Sequence, residues 1–183
     1  MRKLHFVQEF IGAYLLKIQA KKVSRSLQAC NFEYAKTIGI VYDAIDQEQH
    51  KKVANFAAML MKTHNCQVQM VGFVSNAELT SAFSGQFGCK YITKKDFTWY
   101  GDEQNCIISD FIKTPFDILI DISIESIYPL LYITQLSTSK FKVGRFCDKN
   151  MHLDLMIDVK NHESIDFLIN QIHVYLSMIK VNK

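Results

Sequence analysis

The sequence predicts an α/β fold of the Rossmann-like, doubly wound kind: a mainly parallel sheet of five or six strands, with an N-terminal amphipathic helix. Three observations predict it. Short β-branched apolar runs alternate with longer segments of helical periodicity, the pattern of right-handed βαβ units. The chain has 183 residues, enough for one domain that buries roughly 70% of its unfolded surface. Hydrophobic residues make up 49% and charged residues 21%, with only two prolines, so no disordered tract is expected away from the ends.

Residues 3–28 read as a helix, because Leu4, Val7, Phe10, Ile11, Tyr14, Leu15 and Ile18 recur three and four apart in one apolar stripe. Lys17, Lys21, Lys22 and Arg25 follow about one turn apart, where cations suit the negative end of the helix dipole. Residues 37–43 form a buried β-branched strand ending in Asp43. Asp46 caps a helix running to His64, with Val53, Phe56, Ala57 and Leu60 facing inward. Residues 67–74 are the second strand. Ser75 and Asn76 open a short helix or turn through Phe83, and residues 89–93 form a short third strand.

Lys94 to Asp102, with Phe97, Trp99 and Tyr100, read as a loop. Residues 103–113 form a helix that stops at Thr114-Pro115, because the residue before proline avoids helical geometry. Residues 116–123 are the strongest strand. Residues 125–137 form a helix with Pro129 near its start, where proline is tolerated. Residues 141–146 and 153–159 are two more strands. Their link is short enough for a hairpin, which would mix the sheet at one edge. Residues 162–180 close the chain as a helix burying Ile165, Leu168, Ile172 and Leu176.

This divides the chain into a basic helical leader, residues 1–36, and a Rossmann-like domain, residues 37–183. The leader carries seven basic residues against two acids, and the remainder fourteen against sixteen. The apolar residues after Met1-Arg2-Lys3 are broken by His5, Gln8 and Glu9, with no small-residue cleavage site, so no secretory signal is read. No run of about 18 apolar residues is present to cross a membrane. Cys30, Cys66, Cys89, Cys106 and Cys147 are widely spaced without a CxxC, which predicts free thiols in a reducing cytoplasm. The basic leader adds a peripheral position at the membrane as the alternative expectation.

In open α/β sheets, ligands bind beyond the carboxyl ends of the strands, where strand order reverses. Asp43, Ser75, Asn76, Asp121 and Ser123 are the residues expected there. In a 3-2-1-4-5 order Asp43 and Asp121 are neighbours. They would hold Mg²⁺ through oxygens, or split their pKa values for acid–base work; the plainer reading is that they cap helices or sit hydrated at the rim. The turn from Val41 to Asp46 has no glycine, so its backbone cannot approach a pyrophosphate closely. The serines lie in no GxSxG elbow and the histidines in no HExxH. No catalytic residue, cofactor or metal ligand is assigned. Trp99, with Lys94 and Lys95 nearby, suits stacking or cation–π contacts, or else plugs the end of the core.

Two functions stay open. The first is a non-catalytic binding or accessory protein. Its leader, through Lys17, Lys21, Lys22 and Arg25 and with Trp99, would contact RNA or a ribonucleoprotein, an anionic membrane surface, or a protein, including a second copy in a homodimer. The second is a small-ligand binder or enzyme using the acidic strand ends. The missing phosphate loops and the uneven charge favour the first.

Asp96-Phe97-Thr98-Trp99-Tyr100-Gly101, the run from Asp110 to Ile120, and Ser139-Lys140-Phe141-Lys142-Val143-Gly144 resemble a family of small uncharacterised proteins from Bacteroidota. That resemblance covers nearly the whole chain and implies no activity. Residues 116–121, the following helix and Phe141-Lys142-Val143-Gly144 resemble, at the level of fold, the N-terminal half of heptosyltransferase-like glycosyltransferases. Those enzymes need a second Rossmann half for the sugar nucleotide, for which 183 residues are expected to leave no room, so no catalytic residue is carried over.

Overall fold

A computed structural model describes residues 2–75, 88–98, 102–148 and 152–180, with side chains from residue 11 onward. Six strands form one sheet: β1 (Thr37–Asp43), β2 (Gln67–Phe73), β3 (Cys89–Ile92), β4 (Ile118–Asp121), β5 (Phe141–Arg145) and β6 (Leu155–Ile157). Their order is β3-β2-β1-β4-β5-β6 and every pairing is parallel. Among the described residues the α-helices are α1 (Arg2–Ala20), α2 (Gln47–His64), α3 (Cys106–Lys113), α4 (Tyr128–Leu136) and α5 (Ile165–Met178). The chain winds outward from β1 to β3, then returns to the other side of β1. Strand order therefore reverses between β1 and β4.

Alternation along the strands divides the core. Ile38, Ile40 and Tyr42 of β1, with Ile118 and Ile120 of β4, pack under α2 and α5 through Val53, Phe56, Leu60, Leu168 and Ile172. Val41, Val71, Phe73 and Leu119 face the other way, under Ile108 and Phe111 of α3 and Leu130 and Ile133 of α4. Two β1 faces and two helix layers follow from one seven-residue run, because successive side chains point to opposite sides.

Local chemistry sets several boundaries. Asp46 accepts from the Gln49 amide at 2.8 Å and starts α2; Asn65, at φ 50°, ends it in the left-handed conformation that asparagine tolerates. Residues 94–102 were expected as loop, but Lys94–Asp96 make a 3₁₀ turn held by a Thr93–Asp96 capping box. An antiparallel bridge joins Phe97 to Glu103. Asn105 then caps the Ile107 amide at 2.9 Å. For this reason α3 starts at Cys106 and not at residue 103.

The hairpin considered for β5 and β6 does not form: they pair in parallel, Val143 opposite Leu155. Asp154 decides this. Its amide donates to the Lys142 carbonyl at 2.8 Å, and its carboxylate accepts from the Lys142 amide at 2.8 Å. These bonds bring the start of β6 beside the beginning of β5, so both strands run the same way.

The helix expected over residues 3–28 ends at Ala20. Beyond it the chain runs without regular structure to Cys30. Arg25 forks onto Asp154 at 2.7 and 2.5 Å and also reaches the carbonyls of Ser139 and Lys140. Leu16 is 4% exposed within the α3–α4 core, and Phe32 and Ala35 are buried in the α2–α5 core. Tyr128 donates to the Gly12 carbonyl at 3.2 Å. The leader thus packs into both halves of the domain it precedes.

Candidate functional site

A crevice of about 380 Å³ opens beyond β1 and β4, where strand order reverses. Asp43, Ile122, Ile124 and Glu125 come from the strand ends and the loop after β4. The walls are the first turns of α2, with Asp46, Glu48, Gln49 and Lys52, and of α5, with Glu163, Ser164, Ile165 and Asp166. Ser164 caps α5 through the Phe167 amide at 3.2 Å, as Asp46 caps α2. Lys52 reaches Glu48 at 3.0 Å and Asp166 at 2.8 Å, tying the two helix starts together.

Asp43 is the unusual member. It is half-buried, and its Oδ1 is shielded from solvent without a hydrogen-bond partner among the described residues. Burial, and then the charge of Glu125, push its carboxyl up to about 6. At neutral pH it is still mostly ionised, so the crevice holds a partly desolvated negative charge.

Asp121 lies opposite Val41, two residues short of Asp43 on the neighbouring strand. It is buried, and its carboxylate accepts from the Ser123 amide at 3.0 Å and from the Ser123 hydroxyl. Burial raises its carboxyl to about 6 against those bonds. Asp121 and Ser123 are not on the crevice wall. They form a side-chain-closed turn that leads into Ile122, Ile124 and Glu125. The two aspartates expected as a pair are thus brought to one end of the sheet in different roles. Ser75 is exposed after β2 and does not line the crevice. Asn76 and Trp99 lie outside the described residues.

The residues that sequence reading missed here are Glu48, Lys52, Glu125, Glu163 and Asp166. The Asp46 cap was legible, and the Ser164 cap has the same type. Nothing local indicates that the two helix starts meet.

Of the leader cations, Lys17, Lys21 and Lys22 are exposed, whereas Arg25 is engaged with Asp154. A second depression, about 410 Å³, lies between α1, α3 and α4. Four of its polar residues pair with one another: Gln19 donates to Asp102 at 2.7 Å, and Tyr132 donates to Glu103. All five cysteines are free. Burial holds the Cys89 thiol above its ordinary pKa, which disfavours the reactive thiolate. Among the described residues no group of three or more histidines, cysteines or carboxylates is arranged to hold a metal ion. No helix among them is long and apolar enough to cross a membrane.

No curated protein matches the chain. A family model does match, over residues 5–179, and bears out the resemblance to an uncharacterised family. The chain belongs to a family of unknown function, DUF6913.

Proposed function

We propose that the protein is a binding protein that takes a small organic cation in the crevice beyond β1 and β4. The observation that carries this reading is the partly buried carboxylate of Asp43, whose Oδ1 has no partner among the described residues, on the wall of a crevice at the position where doubly wound sheets receive ligands. A partly buried carboxylate left without an opposite charge costs free energy, and an ammonium or guanidinium group in the crevice would supply that charge. The lining chemistry agrees. Among the described lining residues Lys52 is the one basic side chain, already paired to two acids, against six carboxylates. A phosphate ligand would meet repulsion from that wall and no glycine turn to cradle it.

The test is a thermal melt with spermidine or agmatine, on the parent and on Asp43→Asn. The amines should raise the parent's melting temperature and leave the variant's almost unmoved. Equal shifts in both proteins, or no shift in the parent, would reject the reading.

A second reading rests on the leader. Leu16 is docked inward while Lys17, Lys21 and Lys22 remain on the outside. On this reading the protein is an accessory factor in the reducing cytoplasm, which the five free thiols support. It would meet an anionic partner surface through α1. Charge reversal of the three lysines should remove salt-sensitive binding to anionic polymers or vesicles and leave the melt unchanged; retained binding would reject it.

A further inference from the structure

The outer side of α1 carries a pattern that docking on the domain does not use. Gly12 and Leu16 are buried, and Ala20 packs beside them on the α3–α4 core. Tyr14, Lys17, Ile18 and Lys21 are spaced three, four and seven apart, so they share one face of the helix surface and its final turn. Tyr14 is 60% exposed and Ile18 is 38% exposed, with Lys17, Lys21 and Lys22 exposed around them. A single exposed apolar side chain is ordinary. An aromatic and a branched aliphatic residue on successive turns, flanked by lysines, form the arrangement of helices that lie in a lipid interface.

Charge points to the same occupant. No acid occurs between residues 10 and 32, so every charged side chain of this stretch is basic. The acidic crevice belongs to the α2–α5 side of the sheet, whereas α1 packs on the α3–α4 side. That separation would orient the molecule in the field of a negative surface, with α1 toward it and the acids away. Lysines alone would equally suit RNA. Ile18 has no role in stacking or phosphate contact, but has one at an acyl boundary.

We propose that Tyr14, Lys17, Ile18, Lys21 and Lys22 form a docking face for an anionic bilayer. This rests on the leader reading above and names its partner. The lysines sit at the lipid phosphates while Tyr14 and Ile18 enter the headgroup–acyl boundary, giving reversible, salt-sensitive attachment.

The experiment is co-sedimentation of the full chain with vesicles of phosphatidylglycerol and phosphatidylcholine, and with phosphatidylcholine alone, with a single-stranded RNA binding assay in parallel. Binding to the mixed vesicles only is expected. Each lysine changed to Gln should weaken it by about fivefold. Tyr14→Ser with Ile18→Ser should weaken it at least tenfold, under conditions where a melt of the variant shows it folded. If the serine pair binds mixed vesicles like the parent, Tyr14 and Ile18 do not enter the bilayer and the proposed docking face falls, while the electrostatic leader reading stands. RNA binding without vesicle binding overturns the bilayer assignment alone. Binding to neither overturns both.

Discussion

Gly72 stands opposite Tyr42 in the β1–β2 register, and it vacates the volume that the tyrosine ring occupies. A Cβ at position 72 would lie 3.0 Å from Tyr42 Cζ and Oη, and 3.1 Å from Tyr91 Cδ1. Tyr91 is Gly72's register partner on the other side. The space lets both phenols converge on Nδ1 of His50, at 2.6 and 3.2 Å, and lets Tyr42 approach Cys89 Sγ at 3.2 Å. A polar cluster is thereby held within an otherwise apolar layer.

Gly72→Ala should destabilise the fold by about 1–3 kcal/mol through overpacking. Tyr42→Phe should cost about 1–2 kcal/mol by removing a buried hydroxyl from its partners. Urea unfolding measures both. A Gly72→Ala variant as stable as the parent would mean that the rings swing aside freely and that the register row is not tightly packed.

The leader belongs to the folding unit. Deleting residues 1–28 should lower the melting temperature sharply, because Leu16 and the Arg25–Asp154 fork are lost together. Leu16→Ala alone should cost about 2–4 kcal/mol. Arg25→Ala should cost about 2–3 kcal/mol, and Arg25→Lys should recover less than half of it, since an ammonium cannot reproduce the planar fork. A truncated domain that melts with the parent would show that the contacts contribute nothing.

Lys142 predicts a pH dependence. It is 2% exposed, and its Nζ donates to the carbonyls of Thr134 at 2.7 Å and Gln135 at 3.3 Å, at the end of α4. Burial, and then the charge of Arg25, push its ammonium down to about 7, although Asp154 acts the other way. The unfolded chain therefore binds this proton more readily between about pH 7 and 10. Stability from this group rises with pH through that window, by up to roughly 1.4 kcal/mol per pH unit, and is lost as pH falls to 7. Subtracting the stability curve of Lys142→Met from that of the parent should reveal this slope. A flat difference would mean that the carbonyls keep the lysine charged in the fold.

Asp43 and Asp121 act with the opposite sign. Both carboxyls are raised to about 6, so the folded state holds their protons more tightly. Their contribution is full below about pH 4 and is lost as pH rises through 6. Asp43→Asn should therefore raise the melting temperature at pH 7 relative to the parent and change it little at pH 4. Amine binding should weaken as pH falls below 6, where Asp43 gains a proton. Calorimetry at the two pH values checks both; an equal effect of the substitution at each would show that burial does not perturb this carboxyl.

Much of the fold was legible because it is local. The β-branched run at 37–43 is a strand by its own composition, and Asp46 and Asn65 bound α2 through bonds and dihedrals within a turn of each. The strand-end position of Asp43 followed from the same run. The end of α1 was not legible, because the basic periodicity continues past Ala20 while Arg25 and Gln28 bond to Ser139, Lys140 and Asp154, just before β5 and β6. Arg25 was read as a cation for an external partner, and the structure pairs it with Asp154, 129 residues away.

By itself, then, the sequence determined which segments are strands or helices and, except in α1, which side of each is apolar; the stripe read for α1 included Tyr14 and Ile18, which are exposed, and not Leu16, which is buried. Periodicity and capping act over a few residues and are written in consecutive positions. Only the tertiary structure decided what covers those sides: the parallel β5–β6 pair, the docking of α1 on α4, the separate roles of Asp43 and Asp121, and the meeting of two helix starts over one crevice. Each depends on pairings between distant segments, and a side chain's pattern states that it is to be buried without stating against what.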